Sequence, residues 1–128
     1  MAKIIATILL CLLSSCLSPE KTAKEDTYYH EKDYQQAWCK KAKGIQEYRL
    51  DDGTRVDCLT DQYAIEVDFA SKWAESIGQA YYYARKTDRL PGVVLLLKTA
   101  KDQRYLDRIH TAAPDLQVWI MTPADLEH

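Results

Sequence analysis

Several features that mark common protein classes are absent from this sequence or scarce in it. Its 17 basic side chains are outnumbered by 19 acidic ones, which argues against tight non-specific binding to nucleic acid. No paired-cysteine motif is present, which argues against a structural zinc site. Serine is scarce and the histidines lie apart from any nucleophile, so a Ser/His/Asp hydrolase has little support. No apolar run approaches the length of a transmembrane helix.

The first residues form a short apolar leader that begins with a basic residue. Lys3 precedes an apolar run from Ile4 to Leu13, and small residues then lead to Cys16. As a helix this run would be only about 15 Å long, half of the roughly 30 Å hydrocarbon layer, so it predicts a cleaved signal peptide. Cleavage as a plain secretory signal and cleavage with lipidation remain alternatives, and both would export the protein.

The segment Leu13-Ser14-Ser15-Cys16 resembles the lipobox of bacterial lipoproteins. This resemblance implies a signal peptide over residues 1–15, a lipid on Cys16 and a protein held on the periplasmic side of an envelope membrane. The polar residues 17–27 would be a tether, and residues 28–128 are short enough to form one domain. No transmembrane helix is expected in the mature protein.

Removal of the leader leaves Cys39 and Cys58 as the cysteines of the domain. Two thiols in an oxidising compartment usually pair, so we expect a disulfide between them. Closing the loop between these positions should stabilise the domain by about 3 kcal/mol.

The hydrophobic pattern of the domain predicts the order α-β-β-β-α-β-α-β. Asp51-Asp52-Gly53 predicts a hairpin turn, Gly44 the end of the first helix, and the apolar run Val93 to Leu97 a central strand buried on both faces. The expected class is α/β with a mixed central sheet flanked by helices. Helices are expected over residues 28–43, 70–86 and 99–112, and strands over residues 45–50, 54–59, 63–68, 93–97 and 116–121.

The second and third predicted strands each contain a carboxylate, Asp57 and Glu66, among apolar neighbours. A buried carboxylate needs a partner, commonly a metal ion or a cationic side chain. Two such groups and a main-chain carbonyl suit Mg²⁺ or Mn²⁺. Structural ion pairs with Arg49, Arg55 or Lys72 are the alternative.

The helix predicted after the third strand has an apolar stripe with a polar edge. At 100° per residue the stripe consists of Phe69, Trp73, Ile77, Ala80 and Ala84. The polar edge consists of Lys72, Ser76, Gln79 and Tyr83. Glu31 on the first helix and Glu47 on the first strand are candidate accessory acids, whereas Trp38, Trp73 and Trp119 are expected in the core.

The order of elements, Asp57, Glu66-Val67-Asp68 and Gln79 together resemble the PD-(D/E)xK nuclease-like superfamily. The resemblance covers roughly residues 28–97. It implies a restriction endonuclease-like core and a phosphodiesterase that uses Mg²⁺ or Mn²⁺, with nucleic acid as its partner. It also implies that Asp57 and Glu66 bind the metal, that Val67 contributes its carbonyl, and that Gln79 is a catalytic-site residue.

Asp68 departs from the superfamily pattern, which usually has lysine at this position. Lys72 is the natural substitute, and as a catalytic lysine it should point its ammonium at Asp57 and Glu66. If Asp68 is instead a third acid of the site, the domain binds metal differently or is inactive. The alternatives are then a non-catalytic envelope lipoprotein with a binding or structural role, or a toxin- or immunity-associated accessory protein.

Overall fold

The computed structural model describes residues 28–127, in which a five-stranded mixed sheet carries helices on both faces. The predicted order of elements and the α/β class are confirmed. The predicted signal peptide and tether, including Cys16, lie outside the described residues. The elements are α1 (Glu31–Lys41), β1 (Ile45–Arg49), β2 (Arg55–Leu59), β3 (Tyr63–Phe69), α2 (Trp73–Thr87), β4 (Leu90–Leu96), α3 (Gln103–Ala112) and β5 (Gln117–Met121), with 3-10 turns at Ala70–Lys72, Ala100–Asp102 and Pro123–Leu126.

The strands lie in the sheet in the order in which they occur in the chain. β1, β2 and β3 are antiparallel to one another, and the predicted turn joins β1 to β2 with Gly53 at a φ of 87°. β3, β4 and β5 are parallel, which requires crossover connections, and α2 and α3 supply them. β4 therefore has a neighbour on each side, as its apolar sequence predicted.

Side-chain alternation along the strands divides the core between the two faces of the sheet. Ile65 and Val67 of β3 pack on the side of α1, whereas Val93 and Leu95 of β4 pack on the side of α2 and α3. Within the described residues no helix is both long enough and apolar enough to cross a membrane.

The predicted disulfide joins Cys39 of α1 to Cys58 of β2, with 5.6 Å between their Cα atoms. Cys58 belongs to the core that α1 covers. Because neighbouring strand residues point to opposite faces, Asp57 points away from α1's core and towards the side of α2. The disulfide therefore anchors the strand that carries the first candidate carboxylate.

α1 ends at Lys41, two residues before the predicted end, and Gly44 follows the turn that stops the helix. Lys43 has the positive φ, 55°, and its N–H donates to the Lys40 carbonyl at 3.2 Å. The Gly44 N–H donates to the Cys39 carbonyl at 3.0 Å, which completes a Schellman motif. Gly44 is needed for space, because a Cβ there would collide with both sulfurs of the disulfide.

The start of α2 also differs from the prediction. The chain leaves β3 through the 3-10 turn Ala70–Lys72, and α2 begins at Trp73. Phe69 is still part of β3 and packs on the face covered by α1, so it does not belong to the apolar stripe of α2. The predicted cap of the following helix is confirmed, because Asp102 accepts the Thr99 N–H at 3.1 Å.

Candidate active site

β2 and β3 pair only over part of their length, at Cys58 with Ile65 and at Leu59 with Ala64. The ladder is open from Asp57 onwards, where this residue would face Glu66. Side chains supply the hydrogen bonds there. Asp57 Oδ2 accepts the Val67 N–H at 2.8 Å, and the Asp57 carbonyl accepts from Gln35 Nε2 at 2.9 Å. The backbone groups in this gap are thus hydrogen-bonded by side chains, which brings polar groups into an otherwise apolar layer.

Glu66 and Asp68 are two residues apart on β3 and therefore point to the same face as Asp57. They are 6% and 2% exposed. Burial raises the pKa of Glu66 to about 9, and the charges of Asp57 and Asp68 add to this shift. Burial also raises the pKa of Asp57 to about 6, against the lowering effect of the Val67 N–H. Three acids in one partly buried site destabilise one another's charged forms.

Asp68 has a cationic partner of its own. Lys72 Nζ lies 3.1 Å from Asp68 Oδ1 and 3.7 Å from Glu31 Oε2. Burial and a hydrogen bond with Glu31 still raise the pKa of Asp68 to about 7, while Lys72 opposes the shift. The bond to Asp68 in turn raises the pKa of Lys72, so this side chain stays an ammonium ion.

The expected direction of Lys72 is therefore not the one observed. Among the described residues its ion pairs are with Asp68 and Glu31, and none joins it to Asp57 or Glu66. The reason is local, since Lys72 lies in the turn that leaves β3, four residues after Asp68. Its nearest carboxylate is Asp68, at the position where the pattern that the sequence resembles usually has lysine.

The acids lie beside an open cleft with a volume of about 450 Å³. Asp57 and Glu66 form its floor. One wall is the N-terminal part of α1, the second is the hairpin of β1 and β2, and the third is α2. The cleft thus opens where the strands separate, and elements from both faces of the sheet border it.

The α2 wall contains the predicted residue Gln79 and also Tyr83. The Gln79 Nε2 group donates to Glu75 at 3.1 Å, and the Tyr83 hydroxyl donates to Gln79 Oε1 over a long 3.4 Å. Burial raises the pKa of Tyr83 to about 12, with a further contribution from the charge of Glu66. Tyr83 therefore remains a protonated donor beside the carboxylates. Ser76, expected on the same polar edge, is instead buried and donates to the Trp73 carbonyl at 2.9 Å.

The sequence prediction missed Gln35, which is 5% exposed and lies on the α1 wall. Its amide donates to Glu47 Oε1 and to the Asp57 carbonyl, each at 2.9 Å. The available signal was its spacing, since Gln35 lies one helical turn before Cys39 and so shares the face of α1 that meets β2.

Glu31 and Glu47, the two candidate accessory acids, both line the cleft. Glu47 adopts a φ of 53°, a left-handed conformation that costs a non-glycine residue about 1–2 kcal/mol. Gln35 and Arg55 hold its carboxylate, with Arg55 at 2.9 Å from Glu47 Oε2. The strained backbone places this charge on the hairpin wall.

A metal ion at the floor of the cleft would meet a small set of oxygen donors. Within residues 28–127 no three His, Cys, Asp or Glu side chains are grouped as a metal site by themselves. Mg²⁺ often binds only one or two carboxylates, with water and substrate phosphate completing its shell. Asp57 and Glu66 fit that smaller set, because both are oxygen donors whose mutual repulsion a cation would relieve. The role of the Val67 carbonyl stays a prediction.

No family model, curated protein or solved structure matches the chain. The superfamily resemblance therefore rests on the residues of the cleft and on the order of the elements.

Proposed function

We propose that the domain is a metal-dependent phosphodiesterase of the nuclease type, built on a restriction endonuclease-like core. The observation that supports this proposal most directly is the pair of carboxylates, Asp57 and Glu66, on adjacent strands at the floor of an open cleft. Within residues 28–127 neither acid has an ion pair, and burial disfavours the charged form of both. A divalent cation would offset that cost.

Asp57 and Glu66 would hold Mg²⁺ or Mn²⁺, together with the Val67 carbonyl. The ion would supply a more acidic water molecule and stabilise charge on the phosphate. Gln79 and Tyr83 lie on the wall beside these acids, where an amide and a phenol can orient a phosphate oxygen. The 3.4 Å bond between them is longer than an ordinary O–H···O bond, so the Tyr83 donor can turn to a ligand at little cost.

In this proposal Lys72 and Asp68 act together. The ammonium of Lys72 bridges Asp68 and Glu31, so it ties the start of α1 to the end of β3. It would support the reaction by fixing the α1 wall against β3 and by lowering the negative charge near the floor. It would not take a proton from water, because its pKa is raised.

The same ion pair favours a second candidate function. If the cation that the superfamily uses in catalysis is neutralised by Asp68, the domain could bind a cation and a ligand without cleaving it. The protein would then be a non-catalytic envelope lipoprotein that uses the fold as a binding or structural module.

We also propose that the protein is exported and anchored by a lipid on Cys16, on the periplasmic side of an envelope membrane. The support is the lipobox-like segment and the polar residues that follow it. The disulfide between Cys39 and Cys58 is compatible with an oxidising compartment.

Incubation of residues 17–128 with plasmid and labelled oligonucleotides in Mn²⁺, Mg²⁺ or EDTA distinguishes the phosphodiesterase from the non-catalytic binding module. The enzyme hypothesis expects cleavage with a metal and a loss of about a hundredfold or more in Asp57→Asn and Glu66→Gln. Asp61→Asn is the matched control, since Asp61 is an exposed carboxylate in the turn between β2 and β3. Calorimetric Mn²⁺ binding without cleavage under any condition would support the binding module.

A further inference from the structure

The two edges of the sheet differ in their protection against pairing with another chain. β1 and β5 are the outer strands, and a sheet edge pairs readily unless charged side chains, proline or a distorted backbone prevent it. β1 carries Glu47 and Arg49, and the left-handed backbone of Glu47 distorts it. β5, Gln117–Met121, contains no charged residue, no proline and no positive φ. β5 is therefore the less protected edge.

The outward backbone groups of β5 belong to Val118 and Ile120. The Met121 carbonyl accepts the Leu97 N–H at 2.9 Å, so the backbone groups of Met121 point towards β4. Because successive residues of a strand direct these groups to alternate sides, those of Val118 and Ile120 point away from the sheet. Within residues 28–127 their one hydrogen bond is a long one, 3.4 Å, from the Gln117 amide to the Val118 carbonyl. The outer side of β5 thus keeps donors and acceptors for another strand.

A cavity of about 720 Å³ adjoins this edge, between β5 and α1. Its lining includes the rings of Trp38 and Trp119, whose centroids are 5.1 Å apart, and Ile120, which is 44% exposed. Lys41 and Asp125 also line the cavity, and in the part of the chain that the structure describes neither forms an ion pair. The surface beside the open edge is therefore part apolar, with one unpaired charge of each sign.

These two charges lie towards opposite ends of β5. Tyr34 of α1 packs on the last residue of β3, and Trp38, one helical turn later, packs on the middle residue of β5. Lys41 comes nearly a further turn along the same direction, so it lies towards the N-terminal end of β5. The Asp125 carboxylate accepts the N–H of Thr122 at 2.7 Å, directly after β5, so it lies at the C-terminal end.

We propose that β5 pairs with β5 of a second copy of this chain, antiparallel and about a two-fold axis at Trp119. Val118 of one copy then exchanges both backbone hydrogen bonds with Ile120 of the other, and the axis repeats this exchange. Reversal of the strand also brings Lys41 of each copy towards Asp125 of the other. This charge complementarity favours a second copy over an unrelated strand. The inference does not depend on the proposed function.

Sedimentation velocity of residues 17–128 measures the dimer at protein concentrations from about 1 μM to about 500 μM, since a short edge forms a small and weak interface. Ile120→Lys should weaken the dimer about tenfold or more, because it removes an apolar cross-strand contact and puts two like charges on one face. Ile45→Lys is the matched control, since Ile45 is 58% exposed on the other edge strand. It should leave the dimer unchanged.

Lys41→Glu tests the arrangement of the two copies. It should weaken the dimer about fivefold at low salt, because the axis replaces two attractive contacts by two repulsive ones. Lys40→Glu should have no such effect, since Lys40 is exposed on the same helix and lies outside the cavity. Equal weakening by both variants would overturn the antiparallel arrangement.

Hydrogen exchange of the unmodified protein tests the pairing without any substitution. The Val118 and Ile120 amides should exchange more slowly as the protein concentration rises, because they become bonded across the interface. Protection that is the same at every concentration would mean that β5 is covered within one copy, and would overturn the inference. So would a protein that stays monomeric at the highest concentration, or a dimer that Ile45→Lys dissociates and Ile120→Lys does not.

Discussion

Glu66 should give the metal-free protein a stability that falls as the pH rises. The pKa of this carboxyl is about 9 in the folded state, against 4.5 as its ordinary value. Between these values the unfolded chain has lost the proton and the folded chain keeps it. The folded state then binds more protons, so the free energy of unfolding decreases with pH. The contribution is fully present below about pH 4.5 and is lost as the pH rises to about 9.

One proton corresponds to about 1.4 kcal/mol for each pH unit. Raising the pH from about 5 to about 7 should therefore cost up to about 3 kcal/mol through Glu66 alone, a large share of the 5–15 kcal/mol typical of a domain. Asp57 and Asp68, with pKa values raised to about 6 and about 7, act in the same direction.

Urea denaturation of residues 17–128 in EDTA, followed by far-UV circular dichroism at several pH values, measures this dependence. Glu66→Gln keeps the shape of the side chain but cannot ionise. Its unfolding free energy should therefore fall less steeply with pH, by the contribution of about one proton. Asp61→Asn should keep the slope of the wild type. Mn²⁺ should reduce the dependence, and its binding near pH 7 should release about one proton, seen by calorimetry in buffers of different ionisation enthalpy.

A wild-type unfolding free energy that stays level or rises between about pH 5 and pH 8 in EDTA would refute this reasoning. So would a Glu66→Gln variant with an unchanged slope. Either result would mean that Glu66 is ionised in the metal-free protein and already has a partner.

Three further predictions concern the disulfide, the ion pair and the anchor. Replacing Cys39 and Cys58 together by serine should lower the free energy of unfolding by about 3 kcal/mol, and a thiol titration that finds both cysteines free in unreduced protein would contradict the bond. Lys72→Met should raise the pKa of Asp68 further, measured by carboxyl NMR titration, and an unmoved pKa would show that the ammonium lies elsewhere. Cys16→Ser should release the protein from the membrane fraction, whereas a variant that still sediments with membranes would reject lipidation.

The order of helices and strands followed from the sequence because its causes are local. Hydrophobic period, the Asp-Gly turn and the Thr99 cap act over a few residues. The same holds for the faces of β2, since alternation along the strand is enough to place Asp57 and Cys58 on opposite sides. The disulfide was predictable from the number of cysteines that the domain retains, because only one pairing was open to them.

The site itself depended on tertiary structure. Contacts between distant segments produce the open ladder between β2 and β3, the two hydrogen bonds that the Gln35 amide donates, and the left-handed conformation of Glu47. Hydrophobic periodicity gives no information about such contacts. The sequence placed Lys72 directly after the third strand, but in the first turn of the long helix instead of the 3-10 turn before it. Its contacts with Asp68 and Glu31 depend on where α1 packs. Position along one element is a local property, whereas the direction of a flexible charged side chain is decided by every charge packed around it.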